Sequence, residues 1–589
     1  MVNAAVEKRQ TPSWWKEGTV VYQIYPASYK DDNGDGLGDL RGIINKLDYI
    51  KQLGVDAVWL SPHFKSPRVD EGYDISDYKD IHEPFGSLED CQELIDKAHE
   101  KGLKIMFDLV VNHCSDQHAW FKESRSSKDS PKRDWFYWKP PKYIDGDRHP
   151  PNNWRTCFGG SVWEWDETTE EYYLHYFCKE QPDLNWENPK VRRAIYDDAV
   201  LFWLERGVDG FRIDTVNMYS KHLDFPDAPV VAPDTPWQPA GQFFCDGPRL
   251  KEFLQEMNRE TFAKYDTLTI GEFPGKPSLD HILNYISVDA EALNSTILFL
   301  LMDLDHQGGR YPLMPKSWSL RDWKRITEFM QELAKPEHKA HAMTYIENHD
   351  QARCVSRFAS DVPEHRLASS KLMATYLLTL SGSLIIYQGQ EIGMINCPKD
   401  WSIEEEYKDV NTINTWTEIK QDAKRSGDDS LLERGRAGIQ LTARDHARTP
   451  MQWDNSKNSG FSPEGSNAKP WMRVMDSYAE GLNVAAQDKD TTSTLNFYRT
   501  LLQLRKEHRD LFTLGRFELF DKNNEKTMVY TKTAQDGSKT ALVALNFSPE
   551  KQAYEVPPSL EGKDGKLLFA TVGSEGQELK PYEAAVFLY

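Results

Sequence analysis

Cysteine is scarce. The 589 residues contain seven, an odd number, scattered from Cys91 to Cys397 without CxxC spacing. That scatter excludes a disulfide framework and a thiolate zinc site, and it points to free thiols in a reducing compartment, hence the cytoplasm. On that reading the sequons at Asn294 and Asn546 go unused. Long apolar runs are missing too. No stretch reaches the ~20 residues of a membrane span, and Met1 to Trp15 lacks the apolar core of a signal peptide. Positive charge is in deficit, with 71 Lys and Arg against 92 Asp and Glu, a formal net charge of −21. Nucleic acid and anionic membranes reward basic patches, so neither is expected as a partner. No Gly-rich phosphate loop follows the first predicted strand, which speaks against a nucleotide-binding doubly wound sheet.

What is present describes a globular chain long enough for two or three domains. Eighteen Trp and 26 Tyr are many. Flat rings suit sugar faces, and ordinary packing is the competing use. Short apolar strands are predicted at 20–25, 57–60, 104–111, 207–214, 267–270, 297–301, 343–346 and 384–387, with helical patterns between them, such as 43–53, 88–101 and 191–204. Eight strands alternating with helices predict an α/β fold, a (β/α)8 TIM barrel. Two stretches interrupt it. Residues 114–186, rich in Trp, Pro, Asn and Gly, read as a domain inserted after strand three. Residues 396–443 read as irregular, polar and charge-rich. From residue 512 the pattern changes to period two, predicting a C-terminal antiparallel β-sandwich domain. The domains are then 1–113 with 187–511, 114–186, and 512–589.

In such barrels the reactive groups sit just past the C-terminal strand ends. Polar and ionisable residues recur there: Gln23 and Tyr25, Asp108, Asn112 and His113, Arg212 and Asp214, Glu272, and Glu347, Asn348, His349 and Asp350. Arg212 and Asp214 share one face of their strand, because side chains alternate at period two. An ion pair that merely closes a barrel end is the alternative reading for that pair alone. A ring of carboxylates and histidines suggests acetal chemistry, in which one carboxylate attacks and a second, protonated, assists the leaving oxygen. Arg212 should hold Asp214 ionised, and the apolar run before Glu272 should keep that group protonated. A metal-hydrolase reading lacks any HxxxH or CxxC spacing.

Five motifs, in order, carry a resemblance. They are Asp108-Leu109-Val110-Val111-Asn112-His113, Gln181-Pro182-Asp183-Leu184-Asn185, Gly210-Phe211-Arg212-Ile213-Asp214, the Glu272 segment, and Glu347-Asn348-His349-Asp350. With them the chain resembles glycoside hydrolase family 13, the α-amylase superfamily, and within it the fungal maltase/isomaltase group of α-glucosidases. The resemblance implies a barrel with an inserted B domain and a C-terminal β domain. It implies Asp214 as nucleophile, Glu272 as acid/base and Asp350 as the third carboxylate. It places His113 and His349 on sugar hydroxyls and makes Arg212 the group that orients Asp214. Asp70, with Tyr73 beside it, and Arg444 match a pair that seals the pocket behind a terminal glucose, while Phe158 and Phe177 match its aromatic lining.

The loop Asp31 to Asp39 places oxygens at alternate positions, as a hard cation wants, but it lacks the closing Glu of an EF-hand. Relatives carry a calcium-type loop here, which implies Asp31, Asn33, Asp35, the Leu37 carbonyl and Asp39 as ligands of a structural Ca2+. No organic cofactor is implied. Thr215 follows the nucleophile. Thr at this position goes with maltose, maltotriose and often sucrose in relatives, and Val with isomaltose. Val216-Asn217 and Phe299-Leu300-Leu301-Met302 depart from the relatives' pattern, which bears on the aglycone preference. The expected substrates are small α-glucosides and the expected state is a monomer. The alternatives are an α-1,6-preferring isomaltase, a sucrose isomerase or transglucosylase, and a non-catalytic transporter heavy chain. The last carries a membrane anchor and lacks catalytic residues.

Overall fold

Eight parallel strands close into a barrel in the computed structural model, which describes residues 12–15, 18–306, 310–573 and 576–589. Most of the N-terminal segment read above, residues 1–11, lies outside the described residues. The strands are β1 (Val20–Ile24), β2 (Ala57–Leu60), β3 (Lys104–Leu109), β4 (Gly210–Ile213), β5 (Leu268–Phe273), β6 (Ser295–Leu298), β7 (His341–Thr344) and β8 (Ser383–Tyr387). Each pairs with its sequence neighbours, and β8 returns to β1. Val21, Trp59, Met106, Ile270, Ile297, Met343 and Ile385 fill the interior, all buried. The barrel is therefore a packed core and not a pore.

Two strands sit about two residues earlier than their apolar runs suggest. β6 starts at Ser295 and β7 at His341 because polar groups at the barrel floor are satisfied there. Ser295 Oγ donates to the His341 carbonyl at 2.6 Å, and Thr296 Oγ1 donates to the Gly271 carbonyl at 2.8 Å. A bonded hydroxyl is tolerated inside a sheet where an unbonded one is not. The segment 396–443, expected to be irregular, instead forms a short helical turn, Ile403–Glu406, and two long helices, Val410–Ser426 and Ser430–Thr442. The first long helix is capped by Asp409 and ends at Gly427, whose φ of 71° is the left-handed value a C-cap glycine supplies at little cost. Trp416, Ile419, Ala423, Leu431 and Ile439 build a small core of their own under a charged surface.

Between β3 and β4 lie two small sheets. Trp138–Lys139, Glu171–Leu174 and Trp163–Asp166 make one, and Lys142–Ile144 with Asp147–His149 the other. The helical segment leading into β4 widens into a π-helix at Tyr196–Leu201. The C-terminal strands Arg516–Leu519, Thr527–Thr533, Thr540–Asn546, Ala584–Leu588 and Lys566–Ala570 form an antiparallel sheet. Its second layer is thin, a two-stranded ribbon of Gln552–Ala553 and Glu578–Leu579, with Leu579 packed over Val529 and Leu542. No helix among the described residues is long and apolar enough to cross a membrane.

Candidate active site

Strand register sets the site. Arg212 on β4 lies opposite Asp108 on β3, and Ile213 lies opposite Gly271 on β5, so the residues that follow, Asp214 and Glu272, come out side by side at the strand ends. Gly210 opens β4 because a Cβ there would come within 2.7 Å of the Leu268 carbonyl oxygen. Arg212 Nη1 donates to Asp214 Oδ1 at 2.7 Å and to Asp108 Oδ1 at 2.8 Å, while Nη2 bonds Glu272 Oε1. One guanidinium therefore serves three carboxylates, where the sequence suggested a pair. Asp214 is 4% and Glu272 2% exposed, so three negative charges could not coexist here on one arginine without cost.

The protons resolve that imbalance. Burial, with the charges of Asp214 and Asp350, outweighs Arg212 and pushes Glu272 up to about 8. Burial and Asp214 likewise raise Asp108 to about 7 against the pull of Arg212. Asp108 also accepts from the Tyr73 hydroxyl at 3.1 Å and from Trp59 Nε1 at 3.3 Å. Thr215 adds a second bridge, its amide donating to Glu272 Oε2 and its hydroxyl to Asp214 Oδ2, both at 3.0 Å. Its backbone is left-handed (φ 37°, ψ 45°), a strained state for a β-branched residue that the surrounding bonds impose.

Asp350 occupies the opposite wall. Its Oδ1 accepts from Arg444 Nη1 at 3.1 Å and Arg448 Nη2 at 3.2 Å, and its Oδ2 lies 3.1 Å from His349 Nε2. Burial alone would raise this carboxyl, but His349 and the two arginines hold it well below the usual carboxylate range. His349 is itself lowered to about 3 by burial, so it is neutral. With the Gln23 amide nitrogen against Nδ1 at 2.7 Å, the ring proton sits on Nε2, towards Asp350 and the Tyr73 hydroxyl.

Asp70 pairs with Arg444 at 3.3 Å and accepts from Gln181 Nε2 at 3.2 Å. Gln181 also touches His113 Nε2 at 3.2 Å, and the Tyr73 carbonyl lies 3.1 Å from the same nitrogen. Phe177 packs on His113 with ring centres 5.0 Å apart, Phe158 on Phe177 at 5.9 Å, and the Arg444 guanidinium lies over Phe158 at 5.4 Å. All twelve residues singled out for the catalytic and sugar-binding roles thus meet at one barrel mouth. Gln181-Pro182-Asp183 has an architectural part as well. Asp183 bridges to His113 and pairs with Lys221 at 3.0 Å, fastening the inserted segment onto β3 and β4.

Beside Asn217 a cavity of about 840 Å³ opens, bordered also by Cys157, Met218, Phe244 and Phe273. None of the contacts above involves the Asp31–Asp39 loop, which follows β1. Sequence reasoning missed Asp409 and Arg448. Asp409 lay in the stretch read as irregular, and only its place before a helical pattern could have signalled it. Arg448 stands in the same short segment as Arg444.

Residues 23–515 match the alpha-amylase family, described as the alpha amylase catalytic domain. An alpha-glucosidase of Candida albicans is 48% identical over 578 residues, spanning 98% of this chain and 99% of its own. An oligo-1,6-glucosidase of Saccharomyces cerevisiae is 44% identical over 601 residues, spanning 100% of both chains. Among solved structures, an isomaltulose synthase variant from Erwinia rhapontici, in complex with its natural substrate sucrose, superposes with a TM-score of 0.88 at 38% identity. The match spans 98% of this chain and 99% of that one.

Proposed function

The chain belongs to the alpha-amylase catalytic-domain family, and from that premise we propose that it is a retaining, exo-acting α-glucosidase. It releases glucose from the non-reducing end of maltose, maltooligosaccharides and sucrose. Asp214 attacks C1 of the terminal glucose while Glu272 gives its proton to the leaving glycosidic oxygen. The resulting covalent β-glucosyl ester is opened by a water that Glu272, now a carboxylate, deprotonates. Net retention follows from two displacements at C1.

One observation carries this reading. Asp214 and Glu272 are bridged by a single guanidinium and again by Thr215. Such a pair suits the roughly 5 Å spacing of a retaining site. The proton held on Glu272 up to about 8 supplies the acid. Asp350, ionised and facing the same space, favours positive charge developing on the sugar ring. Arg444, Asp70, Phe158 and Phe177 close the far end, so only a chain terminus fits, and the cavity beside Asn217 has room for the departing aglycone.

The decisive experiment follows maltose, isomaltose, sucrose and p-nitrophenyl α-glucoside by kcat/KM and by product NMR. Net α-glucose from maltose is expected, together with loss on the order of 10⁴-fold in Asp214→Asn. Full activity in that variant would sink the assignment. New disaccharides as the main product would make the protein a transglucosylase, and a preference for isomaltose would make it an isomaltase.

The Asp31–Asp39 loop is proposed to hold a structural Ca2+ through Asp31, Asn33, Asp35, the Leu37 carbonyl and Asp39. Asp31 and Asp39 are buried, and burial raises the Asp39 carboxyl. Backbone amides of Gly34, Gly36, Asp32, Asn33 and Gly42 bond these two carboxylates, and no described lysine or arginine forms an ion pair with either. Buried carboxylate charge without a cationic partner is what a hard cation neutralises. Free cysteines, five of the seven buried, support a cytoplasmic enzyme, and it is taken to work as a monomer, which size-exclusion chromatography tests.

A further inference from the structure

Asp409 lies outside all five motifs, yet it is the point where the pocket wall is anchored. It is 2% exposed. Its Oδ2 accepts from Arg444 Nη2 at 2.7 Å and from Arg448 Nη1 at 2.8 Å. Those bonds are shorter than the ones the same arginines make into the pocket, 3.1 and 3.2 Å to Asp350 and 3.3 Å to Asp70. The other oxygen, Oδ1, accepts from the amides of Asn411 and Thr412 and so caps the helix Val410–Ser426. The amide of Asp409 donates in turn to Asp445 Oδ1 at 2.9 Å, and Asp445 Oδ2 accepts from the Thr412 hydroxyl at 2.7 Å. The carboxylate is thus fixed to a rigid helix end on one side and to two guanidiniums on the other.

We propose that Asp409 is a positioning residue for glucose binding, holding Arg444 and Arg448 from behind so that each presents a defined second donor to Asp350. This rests on the α-glucosidase reading above. Each guanidinium is a planar fork, and fixing one prong aims the other. Without the anchor both arginines keep their charge but not their direction, and they compete with the sugar for Asp350 and Asp70. The loss should fall on the innermost glucose whatever the aglycone, because neither arginine lines the cavity beside Asn217.

Asp409→Asn tests this, because Asn caps a helix as well as Asp while removing the charge. Wild-type cleavage of maltose is measured first, and its absence would overturn the α-glucosidase reading and this proposal with it. Given that cleavage, Asp409→Asn should raise KM for maltose and for p-nitrophenyl α-glucoside by a similar factor, about tenfold or more. The competitive inhibition constant of glucose should rise in parallel, with kcat changed less and the melting temperature kept within a few degrees. A variant with wild-type KM and glucose inhibition would overturn the proposal and leave the α-glucosidase reading intact. If Asp409→Asn unfolds, Arg448→Lys decides, since it leaves the helix cap alone and cuts one of the two links. Unchanged glucose inhibition in Arg448→Lys would then overturn the proposal.

Discussion

The backbone amide of Thr215 donates to Glu272 Oε2 at 3.0 Å, tying the residue after one proposed catalytic carboxylate to the other. The Thr215 hydroxyl simultaneously donates to Asp214 Oδ2. The residue expected to read the linkage therefore also holds the proposed nucleophile and acid in mutual register. A hydrogen bond to a carboxylate contributes about 1.5–3 kcal/mol.

Thr215→Val and Thr215→Ser separate the two roles. Val keeps the β-branch and the volume but deletes the donor, and Ser keeps the donor but deletes the methyl. Val should cost maltose kcat/KM about tenfold or more and lower the maltose-to-isomaltose ratio, whereas Ser should stay near wild type on both. A ratio unmoved in Thr215→Val would remove the hydroxyl from linkage selection.

The pH profile follows from Glu272. Its carboxyl is raised to about 8, chiefly by burial, and the acid works only while protonated. Activity should therefore persist below that value and fall as pH rises through it, giving kcat/KM a basic limb near 8. Glu272→Gln should abolish that limb. It should also cost maltose about 10²-fold more than p-nitrophenyl α-glucoside, whose leaving group needs little protonation. Equal losses on the two substrates would contradict Glu272 as the acid.

The barrel and its ring of charges were legible because strand ends in a (β/α)8 fold deliver residues to one level. Asp108, Arg212, Asp214, Glu272 and Asp350 each stand at such an end. Less legible were features that depend on partners remote in sequence. β6 and β7 begin at Ser295 and His341 because neighbouring strands satisfy their polar groups, which no apolar run reports. The helices after Asp409 hide their apolar faces among charges, so composition alone read as loop. Arg212 bonds Asp108, across the inserted segment, as closely as it bonds Asp214. Only strand register could show that sharing.

Arg444 bonds three carboxylates, Asp409 at 2.7 Å, Asp350 at 3.1 Å and Asp70 at 3.3 Å. Arg444→Met keeps the reach over Phe158 while deleting all three bonds. It leaves buried carboxylates unpaired, a loss of about 3–5 kcal/mol that binding and folding would share. Expected are a lower melting temperature and a KM for maltose raised about tenfold or more. An unchanged KM would mean that Arg444 does not close the glucose pocket.

The proposed Ca2+ bears on stability and not on chemistry, because the bonds of Asp31 and Asp39 run to the loop's own amides and not to the proposed catalytic carboxylates. A ligand that binds only the folded state stabilises it by about 2.7 kcal/mol at a hundredfold excess over Kd. Added Ca2+ should therefore raise the melting temperature of chelator-treated protein by several degrees, with Mg2+ less effective because it demands stricter octahedral geometry. Asp31→Asn removes one charge from the donor set and keeps an oxygen for only one of the Gly34 and Gly36 amides, which bond different oxygens of Asp31, so its effect is read as the loss of the Ca2+-dependent rise and not as the absolute melting temperature. It should abolish most of that rise without altering KM for maltose. A wild-type protein whose melting temperature ignores both chelator and Ca2+ would leave the loop as a turn held by its own backbone amides.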